Sequence, residues 1–448
     1  MKDNFTQGMI TNSLFKFAGL LMLSLLLQAL YGAIDLAVIG QFCDSASISA
    51  VATGSQVMHA LTIIISGLTM GATIIIAKSV GRKDHKTIND VVNSQIKLYF
   101  IVTAIIVLLV LIFSKQIVNI MQVPTEAIEQ TIVYITICTS GMIFISAYNG
   151  ISGIFRGMGN SKLPLIFVGV ASVCNIILDY LFVAYFNMGV AGVAFATIIS
   201  QAVSVLFSVY YIKKSDYNFE ISWKKIISGV QVKKIWNLGF PIALQDFLIC
   251  ISFLIITAIV NSLGVIASAS VGISEKLFIF LSLVATAFMS TLSTYVAQNM
   301  GANQHDRAMK GVKIATTISF SFGMIIFLLT FFKGDFLASI FVSDPDVIAS
   351  AQMYLKSCSF EYLFLSITFC LLGYFNGMGK TKFVMIQGLF TSFIVRIPLS
   401  LYFAKLPNTN MFIIGMAVSI SAFIALVIVG CYFIKVKNDY RGERLQVK

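Results

Sequence analysis

The sequence predicts an all-α polytopic membrane protein, twelve transmembrane helices in two pseudo-symmetric six-helix bundles that repeat in parallel at an offset of 220 residues. Three observations carry this. Of 448 residues, 58% are hydrophobic and 11% charged, where soluble domains carry roughly a quarter charged residues. Twelve apolar segments, each about 20 residues or longer, stand between clusters of charge, Gly, Pro and Asn. Finally, GIFRGMGNSK from Gly153 to Lys162 returns as GYFNGMGKTK from Gly373 to Lys382, identical at six of ten places.

The spans are expected near 14–39, 46–79, 91–113, 127–154, 163–184, 190–212, 235–261, 266–298, 311–332, 347–374, 383–404 and 409–434. The first reads as a retained span, because no small-residue cleavage site follows a short apolar core. Ala77, Gly81 and His85 recur as Ala297, Gly301 and His305. Six spans, an even number, separate equivalent points, so both halves cross in the same direction. The expected domains are 1–213, an N-terminal lobe, 214–234, a cytoplasmic linker, and 235–448, a C-terminal lobe.

Charge sets the orientation. With the N-terminus inside, the loops expected outside hold only Lys115, Lys333 and Lys405 of 31 basic residues, while Lys213, Lys214, Lys224, Lys225, Lys233 and Lys234 gather in the central loop. The positive-inside rule accounts for the net charge of +12 and places both termini in the cytoplasm. No nucleic-acid partner is needed to explain it. Seven cysteines show neither CxxC spacing nor paired loop positions and read as core packing.

The ending Gly-Lys-Thr of the second repeat loop resembles a P-loop, but Tyr374 stands where the first glycine is required. An intramembrane enzyme is disfavoured too, since HExxH, GxSxG and a convergent His set are all missing from the sequence. A channel would need a more symmetric ring of filter residues than two non-equivalent halves supply. Parallel repeats with a cavity between bundles are transporter architecture.

Ionisable groups inside hydrocarbon are costly and mark function. Asp35 lies late in the first span, one turn after Tyr31, and Asp179 lies in the fifth, one turn after Asn175. Thr197 in the sixth span supplies a hydroxyl if these helices meet. The repeat is an internal control: Asp35, Asn175 and Asp179 become Ile255, Val395 and Leu399, and after a three-residue shift Thr197 becomes Ile420. The four polar groups vanish together from the second half, which argues for one site in the first. Their all-oxygen donor set suits a hard cation such as Na+. Alternatively the two carboxylates, which resist ionising together, share a proton.

The segments YGAIDLAVIGQF, Asn-x-x-x-Asp in the fifth span, RGMGN with its partner NGMGK, and PIALQ followed by VAQNMGANQHDRA resemble the multidrug and toxic compound extrusion (MATE) family, over about residues 12 to 436. The resemblance implies two six-helix lobes and an antiporter that exports amphipathic, usually cationic compounds for Na+ or H+, with no other cofactor. It puts the cation site on Asp35, Asn175, Asp179 and Thr197, and Tyr31 and Asn149 beside that site or the substrate cavity. Such a cavity would draw on some of the 38 Phe and 18 Met. The nearest alternative is a flippase for lipid-linked saccharides, which would want cavity cations for pyrophosphate, and Arg396 alone is deep in a span.

In the second half, Asp246, Glu275 and Glu361 are further candidates. Glu275 adjoins Lys276, inviting a local ion pair, and Arg396 either neutralises one of these acids or snorkels to an interface. GLTMG in the second span has the spacing of close helix packing. His59 is read as packed and not metal-bound, and His85 and His305 as solvated. A monomer among membrane lipids is expected, and the Lys, Ile, Asn and Phe content points to a bacterial cytoplasmic membrane.

Overall fold

A backbone in hydrocarbon must satisfy its own polar groups, so apolar segments of this length become helices. The computed structural model describes residues 5–215 and 229–446 and realises this throughout. Among the described residues ten helices are long and apolar enough to span a membrane, and twelve spans result when each of two bent pairs counts as one.

In chain order, the first half has α1 (Ile10–Phe42), α2 (Ser45–Gly81), α3 (His85–Ile120), α4 (Thr125–Ser140 with Met142–Gly157), α5 (Lys162–Tyr185) and α6 (Gly189–Lys214). The second has α7 (Gly229–Asn261), α8 (Val265–Leu281 with Leu283–Gly301), α9 (His305–Phe332), α10 (Pro345–Gly377), α11 (Thr381–Ala404) and α12 (Met411–Asp439). Every expected span is present. Two are broken where straight ones are expected: α4 bends by 49° at Gly141 and α8 by 43° at Ser282. Their repeat equivalents α10 and α2 are continuous, so the bends are not part of the repeat.

The repeated glycine loop is a helix stop. Gly159 and Gly379 take φ +85° and +79°, a region that glycine enters at little cost. Gly159 N–H donates to Arg156 O at 2.9 Å and Asn160 N–H to Phe155 O at 2.9 Å. Gly379 and Lys380 repeat the pattern onto Asn376 and Phe375 at 2.9 and 2.8 Å. This paired closure is the Schellman arrangement. The Lys380 ammonium is spent on Tyr432, 3.3 Å from its hydroxyl and 5.1 Å from its ring centre, in keeping with a loop that holds no phosphate. A second pair, Lys83 and Asn303, both at φ 58°, repeats the turn after α2 and α8.

The chain forms two compact units. One runs from Gly19 to Ala243, the other comprises Thr6–Ala18 and Leu244 onward. The opening turns of α1 thus belong with the second unit and those of α7 with the first, which differs from a single cut in the central loop. Lys224 and Lys225, and most of the expected linker 214–234, lie outside the described residues. Within the first unit, Gly71 of GLTMG lets α2 approach α7: a methyl there would lie 2.7 Å from Gly239 N and from Ile235 O. Gly67 meets Ala243 in the same way. The spacing therefore serves packing inside the chain.

Candidate functional site

Three helices of the first unit build the cluster that the sequence singles out. Asp35 on α1 is 3% exposed, and Asn175 and Asp179 on α5 are fully buried. Thr197 of α6 is buried as well, and its Oγ1 donates to Asp35 Oδ2 at 3.4 Å. Asp35 and Asp179 interact directly, with Asn175 beside both. When both are ionised neither carries a proton to share with the other. Asp35 Oδ1, both Asp179 oxygens and both Asn175 amide atoms are buried without a hydrogen-bond partner. Two carboxylates bring lone pairs and no donor, so their facing oxygens call for a positive guest between them.

Local backbone places Asp179. The α-helical winding of α5 ends at Asp179, and Tyr180–Tyr185 continues as a π-helix. Such wider turns re-aim side chains and recur at functional sites. Nothing in the residue pattern announces one, because apolar sequence suits either winding.

Tyr31 joins the cluster through α6. Its hydroxyl shares a 3.4 Å contact with Ser200 Oγ and reaches the Thr197 carbonyl at 3.5 Å. Ser200 in turn donates to Thr197 O at 2.8 Å. Ser200 is absent from the sequence-derived set, although it sits one turn after Thr197 on the same face. Tyr134 is a second addition: it lies within electrostatic reach of Asp35 and Tyr31 and bonds Ser55 at 3.0 Å. The internal comparison hides it, because Tyr134 and Cys138 recur as Tyr354 and Cys358 while that comparison seeks groups that do not recur.

Asn149 bonds within its own helix. Its amide donates to Ile145 O at 2.9 Å, one turn back on its own helix, and it makes no hydrogen bond to Asp35 or Asp179.

The second-half candidates separate. Asp246 is exposed. Glu275 accepts from Thr257 Oγ1 at 3.0 Å, and no ion pair with Lys276 is found among the described residues, where the sequence invites one, because neighbouring positions on a helix do not face each other. Glu361 is engaged by Arg396, 3.3 Å between Oε1 and Nη2. His59 is exposed where packing is expected. No group of three or more His, Cys, Asp or Glu side chains is placed to hold a metal among the described residues. All seven cysteines are free.

Comparison with known proteins gives a consistent result. The MatE family model matches residues 21–181 and 241–402, one match in each half. The probable multidrug resistance protein YpnP of Bacillus subtilis is 27% identical over 90% of both chains. The multidrug export protein MepA of Staphylococcus saprophyticus is 25% identical over 87% of this chain and 88% of its own. Among solved structures, a multidrug resistance MATE family transporter in an outward-facing conformation superposes with a TM-score of 0.90 at 18% identity, covering 96% of this chain and 97% of that one. A MATE structure in the bent conformation gives 0.91 at 18% identity over 98% of each chain. At that identity the superpositions speak for the fold.

Proposed function

The chain belongs to the MatE family, and from that premise we propose that it is a secondary antiporter that exports amphipathic, cationic compounds in exchange for Na+ or H+. The observation that carries this is the buried pair Asp35 and Asp179, of whose oxygens Asp35 Oδ1 and both of Asp179 have no hydrogen-bond partner, with no basic side chain paired with them among the described residues. A group so placed in hydrocarbon is costly unless an ion or proton neutralises it. The names of the relatives, multidrug export and resistance proteins, support the cargo class.

The exchange works by linkage. Na+ or H+ bound at Asp35, Asp179, Asn175 and Thr197 draws α1, α5 and α6 together, and it must bind one conformation better than the other, since equal affinity shifts nothing. Occupancy then disfavours retained cargo and promotes its release outside, while loss of the ion restores the cargo-accepting state. Tyr31 and Ser200 relay the change to α6. The protein acts as a monomer in the cell membrane with both termini cytoplasmic, the N-terminal and C-terminal lobes rocking about the central loop.

A lipid-linked saccharide flippase would need a free cation for pyrophosphate, and Arg396 is already engaged by Glu361. The test is ethidium efflux from proteoliposomes under an imposed Na+ or pH gradient, with Asp35→Asn and Asp179→Asn alongside. One gradient driving efflux in the intact protein and neither variant responding is the expected result. Variants that respond like the intact protein would remove the coupling assignment.

A further inference from the structure

The second unit buries a carboxylate that this coupling scheme does not use. Glu361 of α10 is held by Arg396 of α11 at 3.3 Å, with the two side chains 5% and 13% exposed. The guanidinium is fixed at two further points. Its Nε donates to Ser421 Oγ of α12 at 2.9 Å, and its Cζ lies 5.4 Å from the centre of the Phe253 ring on α7. Arg396 closes a π-helical stretch, Phe390–Arg396, whereas in α5 the π-helical stretch begins directly after Asp179. Both units therefore use a widened turn beside a buried charge, but at different heights along equivalent helices.

The repeat makes the difference sharper. At an offset of 220 residues Glu361 and Arg396 correspond to Gly141 and Ile176, and with the three-residue shift Ser421 corresponds to Ile198. In the first unit a methyl on Gly141 would collide with the Ile198 side chain. An apolar contact there becomes a charged triangle in the second unit. Conversely Asp35, Asn175 and Asp179 become Ile255, Val395 and Leu399. Each unit thus buries acid at positions where the other has no ionisable group. One acid cluster has no internal cation among the described residues, and the other has Arg396.

We propose that Arg396 is the tethered counter-cation of the second unit: it occupies Glu361 permanently, so that this unit takes up no coupling ion and Asp35 with Asp179 alone sets the number of ions exchanged. The inference rests on the proposed antiport. A guanidinium stays charged at any accessible pH and is positioned here by a hydroxyl and a ring face, so it cannot be exchanged as a free ion is. The other ionisable groups within electrostatic reach of Glu361 are Tyr354, Cys358 and Tyr362, none of them a cation. Glu275, near Tyr354, is half-buried and already accepts from Thr257. Without Arg396, Glu361 would be a buried carboxylate in want of a partner, the condition that Asp35 and Asp179 are in now.

The experiment counts cations per chain in the purified full-length protein, 22Na+ by equilibrium binding and H+ by uptake from a dye-monitored weak buffer. The intact protein is expected to take up one cation that Asp35→Asn abolishes. Arg396→Met should add a second cation, Arg396→Lys should not, and the double variant Glu361→Gln with Arg396→Met should return the count to one. An unchanged count in folded Arg396→Met overturns the proposal, as does a gain that survives Glu361→Gln. Should Arg396→Met alone not fold, the neutral double variant decides: an intact Asp35-dependent uptake supports the proposal, and its loss puts Glu361 among the coupling groups and overturns it. If the intact protein takes up no cation while Arg396→Met gains one through Glu361, the antiport reading fails and the role of Arg396 stands. If neither takes one up, both fail.

Discussion

Thr197 Oγ1 on α6 donates to Asp35 Oδ2 on α1 at 3.4 Å, the hydrogen bond that ties a hydroxyl of the sixth span to the buried carboxylate pair. Because Asp35 Oδ1 and both Asp179 oxygens have no partner, this hydroxyl orients the pair without satisfying it.

A graded outcome follows for the cluster. Thr197→Val removes one neutral donor that favours the empty, ionised Asp35 carboxylate, worth about 1 kcal/mol, so the concentration of coupling ion that half-activates efflux should fall about fivefold. Asp179→Asn removes a charge that attracts the ion and should abolish gradient-driven efflux. Ion titrations of ethidium efflux distinguish the two, and a Thr197→Val protein as inactive as Asp179→Asn would mean that the hydroxyl is a primary ligand.

Close packing between α2 and α7 gives a stability test. Gly71→Ala sets a methyl 2.7 Å from Gly239 N and Ile235 O, backbone atoms that cannot rotate away, so a cost of about 1–3 kcal/mol is expected. Gly169→Ala meets nothing within 4 Å and should leave the midpoint unchanged or raise it. Thermal unfolding in detergent, followed by circular dichroism, reads both.

The helix stops should respond to φ. Gly379→Ala places a Cβ at φ +79°, where an L-residue is strained by about 1–2 kcal/mol. The equivalent change at Gly159, φ +85°, should cost a similar amount, and the two should add, as they lie in different units.

A pH-dependent cap lies between α2 and α3. Asp84 accepts from the Thr87 hydroxyl at 2.6 Å and from its amide at 3.0 Å, and the hydroxyl first, then the amide, holds the Asp84 carboxyl below its usual range. Since the folded value is the lower one, the stabilisation is complete above the unfolded-chain value of about 4 and is lost as pH falls through the folded value. Asp84→Ala should therefore cost about 1 kcal/mol at pH 7, and the gap to the intact protein should close at acid pH. Thermal midpoints of the two proteins across pH check it.

The sequence alone determined the spans, their repeat and the identity of four polar residues that one half has and the other lacks. Hydrocarbon permits few backbone solutions, so apolar length translates directly into helices, and a duplicated fold offers its own control for every buried charge. The tertiary structure decided the rest. It brought to the cluster Ser200 and also Tyr134, which the repeat comparison passes over because it recurs as Tyr354, turned Asn149 back onto Ile145, and paired Arg396 with Glu361 and not Glu275. Those outcomes depend on helix rotation and on the π-helical turns after Asp179 and before Arg396. A single such turn moves side chains to another face, and apolar residues encode either winding almost equally well.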